Sequence, residues 1–334
     1  MRSTSRRLVT AAALAVLGTT LAVAFPPRAA AAVRAETPVS RALGYLRAHQ
    51  SAAGGFFVGR SAEQPLMTPW CIMAIAAAGQ SPASWHRAGG RTAIDYLQSL
   101  DLQRLAQSMS GSSANAATFY AKIIVAYDAA GRRGLIAHAG KRRVDLVLEL
   151  LAFQDASGRF SANGAEVNTT TWSIIALKAA GRAAAQRTRA VAWLKTRAAA
   201  NGGFSWNQGG APDTDSTAAA VQALRAGGVA SSSSVIRRAL AYLRSQQAAN
   251  GGFASGFGSS ANSESTAWAA QAIVAAAQNP GGAAWRKSGN SPLDYLRSRQ
   301  APSGAFYHFG RVLSAPLLTT SEAIIALQRR PFPL

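Results

Sequence analysis

What the chain lacks narrows the field first. It has a single cysteine, Cys71, in 334 residues, so no internal disulfide can form and stability has to come from packing. It has four histidines, His49, His86, His138 and His308, and none stands at a ligand spacing from another or from Cys71, which leaves no zinc-type donor set. Acidic side chains are scarce, 14 against 35 Lys and Arg, giving a formal charge of +21. Such a surface attracts polyanions; a biased usage of Ala and Arg is the compositional alternative. No Val/Ile/Thr alternation is long enough for a β-sheet, and no apolar run beyond residue 32 is long enough to span a bilayer.

The amino terminus is organised for export. Arg2, Arg6 and Arg7 precede an uncharged apolar run from Leu8 to Phe25, and Ala30, Ala31 and Ala32 follow, the order of a secretory signal peptide. Gly18, Thr19 and Thr20 interrupt the run, so residues 1–32 are expected to be cleaved after Ala32 rather than kept as a membrane span. Ser5-Arg6-Arg7-Leu8-Val9 resembles a twin-arginine signal, with two ordinary n-region arginines as the alternative. The mature protein, residues 33–334, is expected to be secreted as one domain without a transmembrane segment. Loss of Arg2, Arg6, Arg7 and Arg28 leaves it at +17. For an exported protein the expected polyanions are cell-wall polymers and lipid headgroups, and nucleic acid is not an expected partner.

One phrase recurs along the chain: an aromatic-Leu pair, often a Gln, then a small-residue turn ending in Phe. It reads Tyr45-Leu46, Gln50, Gly54-Gly55-Phe56, and returns as Leu150-Leu151, Gln154, Gly158-Arg159-Phe160. Further copies are Trp193-Leu194 with Gly202-Gly203-Phe204, Tyr242-Leu243 with Gln247 and Gly251-Gly252-Phe253, and Tyr295-Leu296 with Gln300 and Gly304-Ala305-Phe306. The Phe spacings of 104, 44, 49 and 53 residues place a degenerate copy at Ile94-Asp95-Tyr96-Leu97, which makes six units and a period typical of stacked repeats. Apolar spacing is helical on both sides of each turn. Thr37-Pro38, Thr92 with Asp95, and Ser291-Pro292 with Asp294 are N-cap, Pro-at-N1 and capping-box chemistry, so Asp95 and Asp294 are read as caps. The second helix of each unit is Ala-rich and almost uncharged, as buried helices are. The expected fold is all-α, an (α/α)6 toroid of six helix pairs.

These phrases resemble the QW repeat of squalene and terpene cyclases and of protein prenyltransferase β subunits. The stretch Pro212-Asp213-Thr214-Asp215-Ser216-Thr217-Ala218 is similar to an inner-helix start of that superfamily, which includes the helical domain of transcobalamin and intrinsic factor. The resemblance implies an α/α toroid over nearly the whole mature chain, with Gln50, Gln154, Gln247 and Gln300 tying one helix end to the next. It leaves function open, because the fold hosts enzymes and carriers alike.

Superposed inner-helix starts put Thr68, Thr170, Thr217, Thr266 and Thr320 in one column, where hydroxyls are expected to cap backbone N–H groups. Two positions later the column reads Trp70, Lys122, Trp172, Ala219, Trp268 and Glu322. Facing the ring interior, these residues would gather three indoles, a cation and a carboxylate at one mouth, with Lys122 and Glu322 as an ion pair or as contacts to a ligand. Aromatic packing between inner and outer helices is the alternative. Asp213, Asp215, Glu264 and Glu322 all fall at inner-helix starts, where the helix dipole favours carboxylates.

Asp213-Thr214-Asp215-Ser216 also resembles the DxDD acid of class II terpene cyclases, which protonates an alkene in a dry aromatic cavity; here Ser216 stands in place of the last carboxylate. Asp213 and Asp215 are therefore the catalytic candidates should the ring be an enzyme. The ligand-binding candidates are Trp70, Lys122, Trp172, Thr217, Glu264, Trp268, His308 on its Phe306-Tyr307-His308-Phe309 loop, and Glu322. No metal site is expected, and Cys71 reads as a core thiol. The functional expectation is a secreted toroid that binds a bulky amphipathic molecule, an isoprenoid or a corrinoid. A cyclase-like isomerase and an adaptor for wall polymers or a partner protein are the alternatives.

Overall fold

The computed structural model describes residues 36–59, 65–108, 113–132, 136–139, 142–161, 165–256 and 260–334. The expected export segment, the stretch resembling a twin-arginine signal and the expected cleavage position after Ala32 lie outside the described residues. Along the chain run α1 Pro38–Ala48, α2 Thr68–Ala77, α3 Ala93–Ser99, α4 Leu102–Ser108 and α5 Ser113–Ala129. A hairpin of β1 Ile136–Ala139 and β2 Arg142–Asp145 follows, and then α6 Leu146–Leu151 and α7 Glu166–Ala180. The chain continues through α8 Ala184–Lys195, α9 Thr214–Ala226, α10 Ser234–Gln246, α11 Ser263–Ala275, α12 Pro292–Ser298 and α13 Pro316–Leu327.

Contacts between elements define two rings. Helices α2, α5, α7, α9, α11 and α13 pack each against the next, and α13 packs against α2, which closes the inner ring. Outer helices α3, α6, α8, α10 and α12 lie against α2, α5, α7, α9 and α11 in turn, and α1 lies against α13. The inner helices are buried on almost every face: the ten residues from Val167 to Leu177 other than Asn168, and every residue from Ser216 to Leu224, are buried. Small side chains such as Ala74, Ala121, Ala176, Ala220 and Ala269, fully buried, let helix backbones approach closely enough for six to surround one axis.

The joints follow from the repeat. Gln50, Gln154, Gln247 and Gln300 each donate their amide to the Gly carbonyl of their own turn, as Gln247 Nε2 does to Gly251 O at 3.2 Å, and Gln154 and Gln247 also reach a neighbouring unit, at Gln186 O and Trp285 O, both at 2.9 Å. Gln300 makes the same pair of bonds, to Gly304 O at 3.0 Å and to Pro38 O at 2.7 Å, so the last turn is tied to the first helix. Phe56, Phe160, Phe204, Phe253 and Phe306 are among the largest fully buried side chains. The capping boxes at Thr92/Asp95 and Ser291/Asp294 are both formed, and in each the bonds to the cap residue hold the aspartate pKa below its usual value.

Two expectations are corrected. A short antiparallel pair exists, with Ile136 opposite Asp145; at four residues per strand, alternation cannot announce it. The threonine column does not cap its own helices. Helices α5, α7, α9, α11 and α13 start three or more residues earlier than the Ala-rich pattern indicates, and Asp213 and Asn262 are the N-caps of α9 and α11, accepting from Ser216 N and Ser265 N at 2.7 and 2.8 Å. Thr170, Thr217, Thr266 and Thr320 instead accept the N–H of Phe160, Phe204, Phe253 and Phe306 at 2.8–3.1 Å, because those buried amides have no helix partner of their own.

Candidate functional site

The same threonines aim the site. A residue two positions further along an α-helix points about 200° away, so a column that starts two residues after a threonine fastened to the outer turn faces the axis. Trp70, Lys122, Trp172, Ala219, Trp268 and Glu322, one from each inner helix, all line a single cavity of about 260 Å³. Asp215 and Glu264, one turn nearer the helix starts, line it too.

Three indoles form its floor. Trp70, Trp172 and Trp268 stand at 5.4, 6.2 and 5.8 Å between ring centroids, each pair edge to face at 86–88°, the arrangement their quadrupoles favour. Phe332, from the segment after α13, lies 6.1, 5.4 and 5.7 Å from the same three rings, and its N–H donates to Gln222 Oε1 at 2.9 Å. The ring axis is therefore stoppered from the side opposite the helix starts. The repeat pattern in the sequence does not single this segment out.

The charged groups are distributed unevenly around the mouth. The Lys122 ammonium, on α5, lies 5.3 and 5.2 Å from the Trp70 and Trp172 centroids. Asp215, Glu264 and Glu322 come from α9, α11 and α13, the opposite half of the ring. Glu322 is 3% exposed; its Oε1 accepts from Trp268 Nε1 at 3.1 Å, while its Oε2 and Asp215 Oδ1 are buried without a hydrogen-bond partner. Burial, joined by the nearby Glu264 carboxylate, raises the Glu322 pKa well above the ordinary value. Burial likewise raises Asp215 to about 7, against a lowering by Ser265 and with help from Asp213 and Glu264. Lys122 falls to about 8 through desolvation, partly offset by Glu322. Lys122 and Glu322 feel each other's charge across the cavity without forming a contact ion pair.

Three candidates sit elsewhere. Asp213 is buried as the α9 N-cap, with its oxygens bound by Ser216 N and Ser216 Oγ at 2.7 Å, and it is not among the residues lining the cavity. Thr217 is fully buried, accepting from Phe204 N at 2.8 Å and donating to Asp213 O at 2.6 Å, so it is a joint residue rather than a ligand contact. His308 stands behind the mouth, its Nδ1 donating to Glu264 Oε2 at 2.6 Å. It positions Glu264, which also accepts from the Thr319 hydroxyl. Three lining residues lay outside the sequence reading, Asn168, Trp206 and Leu318. Trp206 is half exposed and follows a Gly-Gly-Phe turn by two residues, a signal that was available. Among the described residues no group of three or more His, Cys, Asp and Glu is arranged to hold a metal ion. Cys71 is buried with its thiol pushed up to about 12 by burial and accepts from Ser321 Oγ at 3.7 Å, as a core thiol does.

Residues 41–312 match the family model of the prenyltransferase alpha-alpha toroid domain. The chain belongs to that family. Solved structures similar to this toroid include ent-copalyl diphosphate synthase from Streptomyces platensis, 18% identical with a TM-score of 0.52 over 79% of this chain and 50% of that one. The chain thus spans about half the length of that synthase. The type II terpene cyclase MstE from Scytonema is 14% identical, TM-score 0.56, over 87% and 96% of the two chains, and a glycosidase is 15% identical, TM-score 0.61, over 88% and 97%. No curated protein sequence matches the chain. At these identities the likeness is one of fold, which toroids of unlike chemistry share.

Proposed function

We propose that this toroid is the ligand-binding module of an exported protein, and that it seats a bulky amphipathic molecule on the mouth of its inner ring. The observation that carries the reading is the cavity itself: three indoles and three carboxylates converge on one opening, and two carboxylate oxygens there are buried without partners. Buried polar groups without partners are costly in a folded protein, and a bound molecule would supply what they lack. The stopper limits how the ligand sits. With Phe332 and the indoles filling the axis, a cavity of about 260 Å³ lies at the small end for ligand sites, so only one part of the ligand enters and the rest lies across the mouth, toward half-exposed Trp206. A compact, wide molecule of corrinoid type fits that pose better than a long isoprenoid chain, which would need a deep apolar channel. Native mass spectrometry of protein recovered from its own secretion medium tests the proposal: a retained small molecule, lost on substituting Trp172→Ala, is the expected result, and a clean apo mass together with no binding from a medium extract overturns it.

A second reading draws on Asp215. A carboxyl group that stays protonated up to about pH 7 in an indole-lined cavity has the properties of a general acid, and solved toroids of this shape include a type II terpene cyclase and a glycosidase. Under this reading Asp215 is the proton donor and Asp213 only its structural neighbour. Product formed by the wild-type protein and absent with Asp215→Asn, at unchanged fold, would favour the enzyme over the carrier.

A further inference from the structure

The ring mouth is an acidic spot on a strongly basic protein. Of only 14 acidic side chains in the chain, Asp215, Glu264 and Glu322 line one cavity, and all three come from the consecutive inner helices α9, α11 and α13. Across the cavity Lys122, the one cation among the described lining residues, holds its ammonium at 5.2–5.3 Å from two indole centroids. The chain thus already places one ammonium against this aromatic wall, within the distance at which the face of an indole attracts a cation. That ammonium balances one of the three carboxylates. The His308 ring, outside the cavity lining, is directed at Glu264 from behind. Facing the cavity, Asp215 Oδ1 and the nine-tenths buried Glu322 Oε2 keep oxygens without a hydrogen-bond partner among the described residues, so the acidic half of the mouth can still accept a cationic donor.

From this we infer that the mouth recognises an organic cation: an ammonium head, substituted or quaternary, that sits against the Trp268 side of the indole cluster between Asp215, Glu264 and Glu322, opposite Lys122. The site has no set of three donors arranged for a metal ion among the described residues, and indole faces serve an organic cation where a metal would need oxygen or nitrogen ligands. The inference rests on the reading of the mouth as a binding site and names the chemistry of the part that enters. It fits a larger ligand whose cationic group enters the cavity while its bulk lies outside. The raised pKa values of Asp215 and Glu322 agree with it, since a cation between them would favour their charged forms.

The test compares choline with its uncharged carbon isostere, 3,3-dimethylbutan-1-ol, by quenching of tryptophan fluorescence in the full chain at pH 8, where Asp215 is ionised. The two probes have the same shape, so their ratio reports the charge alone. Choline is expected to bind at least tenfold more tightly. Asp215→Asn should reduce that preference severalfold, and Lys122→Met, which removes the resident ammonium, should raise the affinity for choline. Equal affinity for the two probes, or a preference for the uncharged one, overturns the inference and needs no variant. If a bulky uncharged molecule is retained from the secretion medium while choline shows no preference, the binding proposal stands and the cation inference fails; if nothing is retained and choline still binds selectively, the reverse holds.

Discussion

The Phe332 ring stands 5.4 Å from the Trp172 indole, centroid to centroid, which makes the end of the described chain part of the floor of the mouth. A residue that reads as a tail in sequence is 3% exposed and touches all three tryptophans. Phe332→Ala should therefore act in the way a core truncation does, costing about 3 kcal/mol, and should also let water reach the indoles. Chemical denaturation and the tryptophan emission maximum check it together: a lowered midpoint with red-shifted native emission is expected. A midpoint unchanged from the wild type would show that the stopper does not hold in solution.

The pH dependence of stability follows from Asp215. Its folded pKa is raised to about 7 by burial, whereas the unfolded value is about 3.9. Below about pH 4 both states hold the proton. Between about pH 4 and pH 7 the unfolded chain releases it first, so this group's contribution to stability is lost as pH rises and is constant above. Asn cannot titrate, so Asp215→Asn should gain stability relative to the wild type across that window, read from urea midpoints at about pH 4 and pH 8. A wild-type protein that instead gains on the variant with rising pH would mean that Asp215 is held charged by a partner.

Most of the fold was legible because its signals are local and repeated. The Gly-x-Phe turns, the Gln residues and the capping boxes at Asp95 and Asp294 each report a backbone need within a few residues, and five copies of the turn fix a period that calls for a sixth unit. The cavity column from Trp70 to Glu322 was legible for the same reason: one residue per unit at one register. What sequence did not show depends on contacts between distant residues. Nothing near Phe332 says that it enters the axis, since its partners come from α2, α7, α9 and α11. Asp213 looked like half of an acid motif because spacing alone cannot tell a cap from a free carboxylate. The threonines were assigned to the wrong amide because the inner helices start earlier than their Ala-rich stretches, which shifted the column from the first turn toward the second.

The corrected role of the threonines gives a test independent of any ligand. Thr266 Oγ1 is the acceptor for the buried Phe253 N–H at 2.9 Å, and Val has the same shape without the oxygen. Thr266→Val should cost about 1–3 kcal/mol, the price of an orphaned buried donor, while Thr266→Ser should retain most of the stability. Ligand affinity should not change with either, because the hydroxyl points away from the cavity. Loss of binding at full stability would return Thr266, and with it Thr217, to the list of ligand contacts.

Closure of the ring can be tested with two substitutions to the same residue type, one on each side of the joint where the last turn meets the first helix. Gly304 has a φ of +90°, a region that L side chains rarely adopt, and an added Cβ would overlap the Arg41 carbonyl. Gln300 reaches Pro38 O at 2.7 Å only while that turn lies flat against α1. Gly304→Ala must therefore push the turn off α1 or strain its backbone, and should lower stability by about 3 kcal/mol or more. Gly44 lies on α1 itself, exposed, with a helical backbone and nothing within 4 Å of an added Cβ. Gly44→Ala should raise stability by about 0.5–1 kcal/mol through helix propensity. If the ring closes through this joint, the wild type melts in one transition and Gly304→Ala either lowers that single transition or splits off an early one that releases α1. An unaltered melt for Gly304→Ala would mean that the first helix and the last turn do not meet in solution, and the toroid would then be an open arc.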